Sequence, residues 1–68
     1  MNDETFNISL RKFLKMVGVS SQREIEQAVA KGLADGTIRG DETMPGTMTL
    51  EIGALRLSVK FEGKIELQ

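Results

Sequence analysis

LRLSVKFEGKIEL, residues 55–67, alternates apolar and polar side chains without a break. The odd positions from Leu55 to Leu67 are apolar or glycine, and the even positions between them are polar or charged. A period of two is typical of β-strands with one face covered and the other face in water. This stretch therefore predicts a sheet whose apolar face needs a covering layer, which the N-terminal half of the chain must supply.

The N-terminal half has the spacing of two amphipathic helices. Asn2 or Asp3 can cap a first helix over about residues 3–17, and Gly18 suits the left-handed residue that follows a helix. Ser21 and Glu24 have the spacing of a capping box, which predicts a second helix over about residues 21–35. The apolar stripes of the two helices are Phe6, Leu10, Phe13, Leu14 and Val17, and then Ile25, Ala28, Val29, Gly32 and Leu33.

A glycine-rich connection over about residues 36–46 leads to strands over about residues 47–52, 55–61 and 65–68. Within this connection, Thr37-Ile38-Arg39 either adds a short edge strand or remains irregular. The apolar positions change from even to odd after Ile52, so we expect a two-residue type II′ turn at Gly53-Ala54. A three-residue turn at 62–64 would keep the parity. The cross-strand pairs expected from these turns are Ile52–Leu55, Leu50–Leu57, Met48–Val59, Phe61–Ile65, Glu51–Arg56, Thr49–Ser58 and Lys60–Glu66.

Together these elements predict a single small α+β domain over residues 1–68. Two N-terminal helices would pack on one face of a C-terminal three-stranded antiparallel β-meander, giving two layers. A domain of 68 residues has a small core and marginal stability. The outer strands of a meander are also open edges, so a second copy could pair with residues 47–52 or 64–68.

The composition argues against several functional classes. The chain has no Cys, His, Trp or Tyr, and its net charge is −1 from 9 basic and 10 acidic side chains. Histidine is the usual general base near neutral pH and cysteine and histidine are the usual zinc ligands, so we expect no catalytic, metal or cofactor site. Neither a signal peptide nor a membrane span is evident, and we expect a cytoplasmic protein.

One helical face remains unexplained by packing. Ile8, Arg11, Lys12 and Lys15 lie off the apolar stripe of the first predicted helix, at a spacing that places them on one side. Three cations around an apolar residue can contact a phosphate backbone or an acidic partner, or they can form an ordinary solvated face.

Two functional classes follow. The first is a non-enzymatic protein–protein interaction module that forms a homodimer through Ile8, Arg11, Lys12 and Lys15 or through a sheet edge. The second is a helix-turn-helix-like nucleic-acid-binding regulator, in which Gly18-Val19-Ser20 is the turn. It would bind nucleic acid through the second helix and through Arg11, Lys12 and Lys15. The second helix mixes Glu24 and Glu26 with Arg23 and Lys31, and this neutral balance makes it a poor match for a recognition helix.

Several short blocks along the chain carry a resemblance to a known group of proteins. They are residues 6–7 (FN), 11–15 (RKFLK), 17–19 (VGV), 21–26 (SQREIE), 48–50 (MTL) and 63–65 (GKI). The chain resembles a family of short bacterial proteins of unknown function, of about 70 residues, over nearly its full length. The resemblance implies a small cytoplasmic domain and carries over no catalytic or ligand-binding residue.

Overall fold

The computed structural model describes all 68 residues, Met1 to Gln68. They form helix α1 (Asp3–Asp35), strand β1 (Thr43–Ile52), a 3₁₀ turn (Gly53–Leu55) and strand β2 (Leu57–Glu66). The chain divides into two compact units, Met1–Thr37 and Ile38–Gln68. The first unit contains α1, and the second contains the two strands.

Helix α1 is continuous where two helices and a turn were predicted, so that prediction is wrong. Gly18 does not have a positive φ angle, and Ser21 lies inside the helix instead of capping a second one. A glycine inside a helix costs about 1 kcal/mol relative to alanine. Ending the helix there would instead leave several backbone N–H and C=O groups without helical partners, which is the larger penalty.

Both ends of α1 lie where the sequence predicts them. The Asn2 Oδ1 atom accepts a hydrogen bond from the Thr5 backbone N–H at 3.0 Å, which caps the first turn. Asp3 and Glu4 follow in that turn, where negative charge is stabilised by the helix dipole. Gly36 ends the helix in the left-handed conformation, with a φ angle of 80°. The 33 residues of α1 include no segment apolar enough to cross a membrane.

Strands β1 and β2 form an antiparallel hairpin in which Ile52 pairs with Leu57. The loop therefore has four residues, Gly53 to Arg56, instead of the two predicted at Gly53-Ala54. Arg56 takes the left-handed conformation at a φ angle of 51° and donates its backbone N–H to the Gly53 carbonyl at 3.1 Å. A four-residue loop keeps the even parity that the sequence requires, but it shifts by two residues each of the five pairs predicted across this turn.

The predicted third strand is absent. Strand β2 continues through Gly63, which pairs with Gly46, and Ile65 pairs with Met44 instead of with Phe61. A straight β2 pairs with β1 over its whole length, whereas a turn at 62–64 would give up these backbone hydrogen bonds. The Thr37-Ile38-Arg39 segment forms no strand. The predicted pairs are replaced by Met48–Phe61, Leu50–Val59, Glu51–Ser58, Thr49–Lys60 and Thr43–Glu66.

The predicted two-layer α+β fold, with two helices on a three-stranded meander, is therefore wrong. No residue of either unit is buried. The alternation correctly predicted that the hairpin has one apolar and one polar face. The even-numbered residues of β1 pair with the odd-numbered residues of β2, and these apolar pairs share one face.

Candidate functional site

The helix carries a line of apolar and small residues along one side, here named the helix seam, with Ser21 as its one polar member. Its seven residues are separated by 4, 3, 4, 4, 3 and 4 positions, which at 3.6 residues per turn keeps them on one face. The exposed fraction of Leu14 is 54%, and only Val17, Ser21 and Gly32 of the seam are partly covered. The seam residues are Leu10, Leu14, Val17, Ser21, Ile25, Ala28 and Gly32.

The continuity of α1 creates this seam. Leu10, Leu14 and Val17 belong to the stripe predicted for the first helix, and Ile25, Ala28 and Gly32 to the stripe predicted for the second. Because there is no turn at Gly18, these parts of the two stripes lie on one helix and form a single continuous line. Phe6 and Phe13 extend the apolar surface along one side of the seam, and they are 49% and 44% exposed.

A second apolar surface lies on the hairpin, here named the hairpin face. It is formed by cross-strand pairs that all point to the same side of the two strands. The Phe61 side chain is 57% exposed, although it is paired with Met48. The hairpin face consists of the pairs Met44–Ile65, Gly46–Gly63, Met48–Phe61, Leu50–Val59 and Ile52–Leu57.

The Gly46–Gly63 pair interrupts the hairpin face. No atom lies within 4 Å of a Cβ atom placed on either glycine, so the face has a gap between the Met44–Ile65 and Met48–Phe61 pairs. A shallow depression at this level is lined by Pro45, Gly46, Thr47, Glu62, Gly63 and Lys64. The depression lies at the level where the hairpin face lacks side chains.

The four residues singled out from the sequence lie together on α1. Ile8, Arg11, Lys12 and Lys15 occupy positions i, i+3, i+4 and i+7, which places them on one face, away from Val17 of the seam. All four side chains are exposed, and that of Ile8 is 56% exposed. Their role as a contact for a partner or a phosphate stays a prediction.

The surface formed by Ile8, Arg11, Lys12 and Lys15 is here named the basic face. Its three cations have no acidic partner within the chain. The ion pair that the structure contains joins Arg39 Nε to Asp41 Oδ1 at 3.5 Å, in the other unit. No Asp or Glu lies three or four residues from Arg11, Lys12 or Lys15 along the helix. Like charges at this spacing destabilise a helix by about 0.2–0.5 kcal/mol per pair, so an external anion would be favourable here.

Two carboxylates act on the backbone between α1 and β1. Glu42 accepts hydrogen bonds from the backbone N–H groups of Arg39, at 2.8 Å to Oε2, and Gly40, at 2.9 Å to Oε1, which lowers its pKa. The side-chain hydroxyl and backbone N–H of Thr37 both donate to Asp35 Oδ1, which lowers the pKa of Asp35. Sequence reasoning did not find these contacts, although an acidic residue beside a glycine-rich turn is their usual signal.

These carboxylates are structural in geometry, because each satisfies backbone donors at a turn. The chain contains no group of three or more His, Cys, Asp or Glu side chains arranged to hold a metal ion. The features that stand out are therefore surfaces, namely the helix seam, the hairpin face and the basic face.

The model of a family described as a family of unknown function (DUF6494) matches residues 1–68. No curated protein and no solved structure matches the chain.

Proposed function

The chain belongs to this family of unknown function over its full length, and we propose that it is a non-enzymatic protein–protein interaction module that self-associates. The family brings no activity with it, so the proposal depends on the surfaces of the chain itself.

The observation that carries the proposal is the exposure of both apolar surfaces. Leu14 on the helix is 54% exposed and Phe61 on the hairpin is 57% exposed, and no residue of either unit is buried. Contiguous exposed apolar surfaces of this kind mark sites of protein–protein interaction.

Neither unit buries an apolar face of its own. Isolated helices depend on packing of an apolar face for most of their stability, and isolated two-stranded hairpins are marginal in water. A partner that covers these faces supplies the missing burial. A second copy fits because the net charge of −1 gives little repulsion between copies.

The test is the mass of the protein in solution, measured by light scattering after size exclusion from micromolar to millimolar concentration. We expect a dimer or higher oligomer, with helicity and Tm that rise with concentration because association stabilises the folded state. A monomer at every concentration, with the helix intact by circular dichroism, would refute self-association.

A charge placed on the seam gives a sharper form of this test. Leu14→Glu places a carboxylate on the seam itself, and we expect it to shift association to higher concentration. Ser9→Glu adds the same charge to the same helix off the seam and is the matched control. Equal behaviour of the two variants would show that the seam is not part of the interface.

The alternative of a nucleic-acid regulator has lost its structural basis as a helix-turn-helix, because α1 is continuous through Gly18-Val19-Ser20. The unpaired cations still favour an anionic partner at the basic face. Arg11→Glu/Lys15→Glu separates the two proposals. The double variant should abolish any salt-dependent binding to DNA and leave self-association through apolar surfaces intact.

A further inference from the structure

The spacing of the helix seam is the same in both directions along α1. The separations of 4, 3, 4, 4, 3 and 4 residues are symmetric about Ser21, which is the fourth of the seven seam residues. We infer that two copies of α1 pair antiparallel along the helix seam, with the twofold axis at the level of Ser21. This inference rests on the proposed self-association and specifies its partner surface.

In this arrangement every seam residue meets a seam residue of the other copy. A twofold axis at Ser21 places Leu10 opposite Gly32, Leu14 opposite Ala28, and Val17 opposite Ile25. Helix α1 reaches from Asp3 to Asp35, so the two copies overlap from residue 7 to residue 35. At a rise of 1.5 Å per residue, this overlap is about 43 Å long.

Side-chain size favours the antiparallel direction. The first half of the seam has large residues, such as Leu10 and Leu14, and the second half has the small residues Ala28 and Gly32. Large residues opposite small ones fill space evenly between two helices. A parallel pair would place Leu10 beside Leu10 and Gly32 beside Gly32, which crowds one end and leaves a gap at the other.

The seam also runs nearly parallel to the helix axis. From Leu10 to Gly32 it advances 22 residues in six steps, which is two repeats of 11 residues or about 3.67 residues per turn. This period is close to the 3.6 of a straight α-helix, so two copies can stay in contact along the overlap with little supercoiling. The side chains that flank the seam bring no like charges together, because Arg11 and Lys31 lie on opposite sides of it.

Engineered thiols test this geometry, because the chain has no cysteine of its own. In the full chain, Ser21→Cys should form a disulfide-linked dimer with oxidised glutathione, since the two sulfurs meet at the axis. Lys12→Cys lies off the seam and is the control. Pairing raises the effective thiol concentration from micromolar to millimolar, so we expect cross-linking on the order of 1,000-fold faster for Ser21→Cys.

A second pair of variants tests direction and register independently of Ser21. Leu10→Cys alone should not cross-link faster than the control, because its two copies would be about 33 Å apart along the axis. Mixed with Gly32→Cys, it should form the mixed disulfide. Circular dichroism verifies that each variant keeps the helicity of the unmodified chain.

Each outcome has a distinct meaning. Rapid cross-linking of Leu10→Cys to itself would show a parallel pair and overturn the inference. A dimer by light scattering in which no seam thiol cross-links faster than Lys12→Cys would also overturn it, while leaving self-association intact and pointing to the hairpin face. A monomer at all concentrations would refute both the inference and the proposed function.

Discussion

Replacement of Gly18 by alanine tests whether α1 is continuous. Gly18 lies inside the helix without a positive φ angle, and no atom lies within 4 Å of a Cβ atom built on it. The added methyl group meets no steric conflict, so only the helix propensity changes. Alanine is favoured over glycine in a helix interior by about 1 kcal/mol. In a domain of this size, that raises Tm by about 4–8 °C.

The measurement is thermal unfolding followed by circular dichroism at one fixed protein concentration. Gly36→Ala is the matched control, because Gly36 has a φ angle of 80°. A side chain in the left-handed region costs about 1–2 kcal/mol, so this variant should have a lower Tm. If Gly18→Ala instead lowered Tm as Gly36→Ala does, Gly18 would occupy a left-handed turn and the continuous helix would be refuted.

The remaining predictions concern the cap, the loop and the turn carboxylate. Asn2→Ala removes the acceptor for the Thr5 N–H and should lower the free energy of unfolding by about 1 kcal/mol, seen in the same melts; no change would mean that the cap is not formed in solution. Arg56→Gly relieves the left-handed conformation at this residue, which costs about 1–2 kcal/mol, but glycine also adds up to about 1 kcal/mol of backbone freedom to the unfolded chain. Tm should therefore rise by an amount that corresponds to about 1 kcal/mol or less, with the Met48–Phe61 contact in NMR spectra unchanged; a Met48–Val59 contact would instead support the shorter turn. The Glu42 carboxyl should titrate below its ordinary value of 4.5, because the backbone N–H groups of Arg39 and Gly40 stabilise the charged form. Its contribution to stability is therefore present above pH 4.5 and lost as the pH falls through the lowered pKa, and Glu42→Gln should remove this part of the pH dependence.

The local signals in the sequence were accurate where one residue decides the structure. Helix α1 begins directly after Asn2 because the Asn2 side chain accepts a hydrogen bond from a free backbone N–H of the first turn. It ends directly before Gly36 because glycine readily takes the left-handed conformation that terminates a helix. The same signals misled at Gly18 and Ser21. Both residues are compatible with a helix end and with a helix interior, and a glycine in the interior costs only about 1 kcal/mol relative to alanine.

The basic face could be predicted from sequence because helical spacing alone places Ile8, Arg11, Lys12 and Lys15 together. The helix seam could not, since it exists only if the two stripes lie on one unbroken helix. Its symmetry about Ser21 likewise exists only because α1 continues through Gly18-Val19-Ser20.

The sequence by itself determined that the N-terminal half is helical and the C-terminal half forms strands, where α1 begins and ends, and the parity that separates the hairpin into an apolar and a polar face. These follow from local backbone preferences and from the fixed periods of 3.6 and 2 residues. Only the tertiary structure decided that the helix is continuous, that Ile52 pairs with Leu57, and that β2 passes straight through Gly63. Those choices depend on how many backbone hydrogen bonds each arrangement completes, which is a property of the whole segment and not of any single residue.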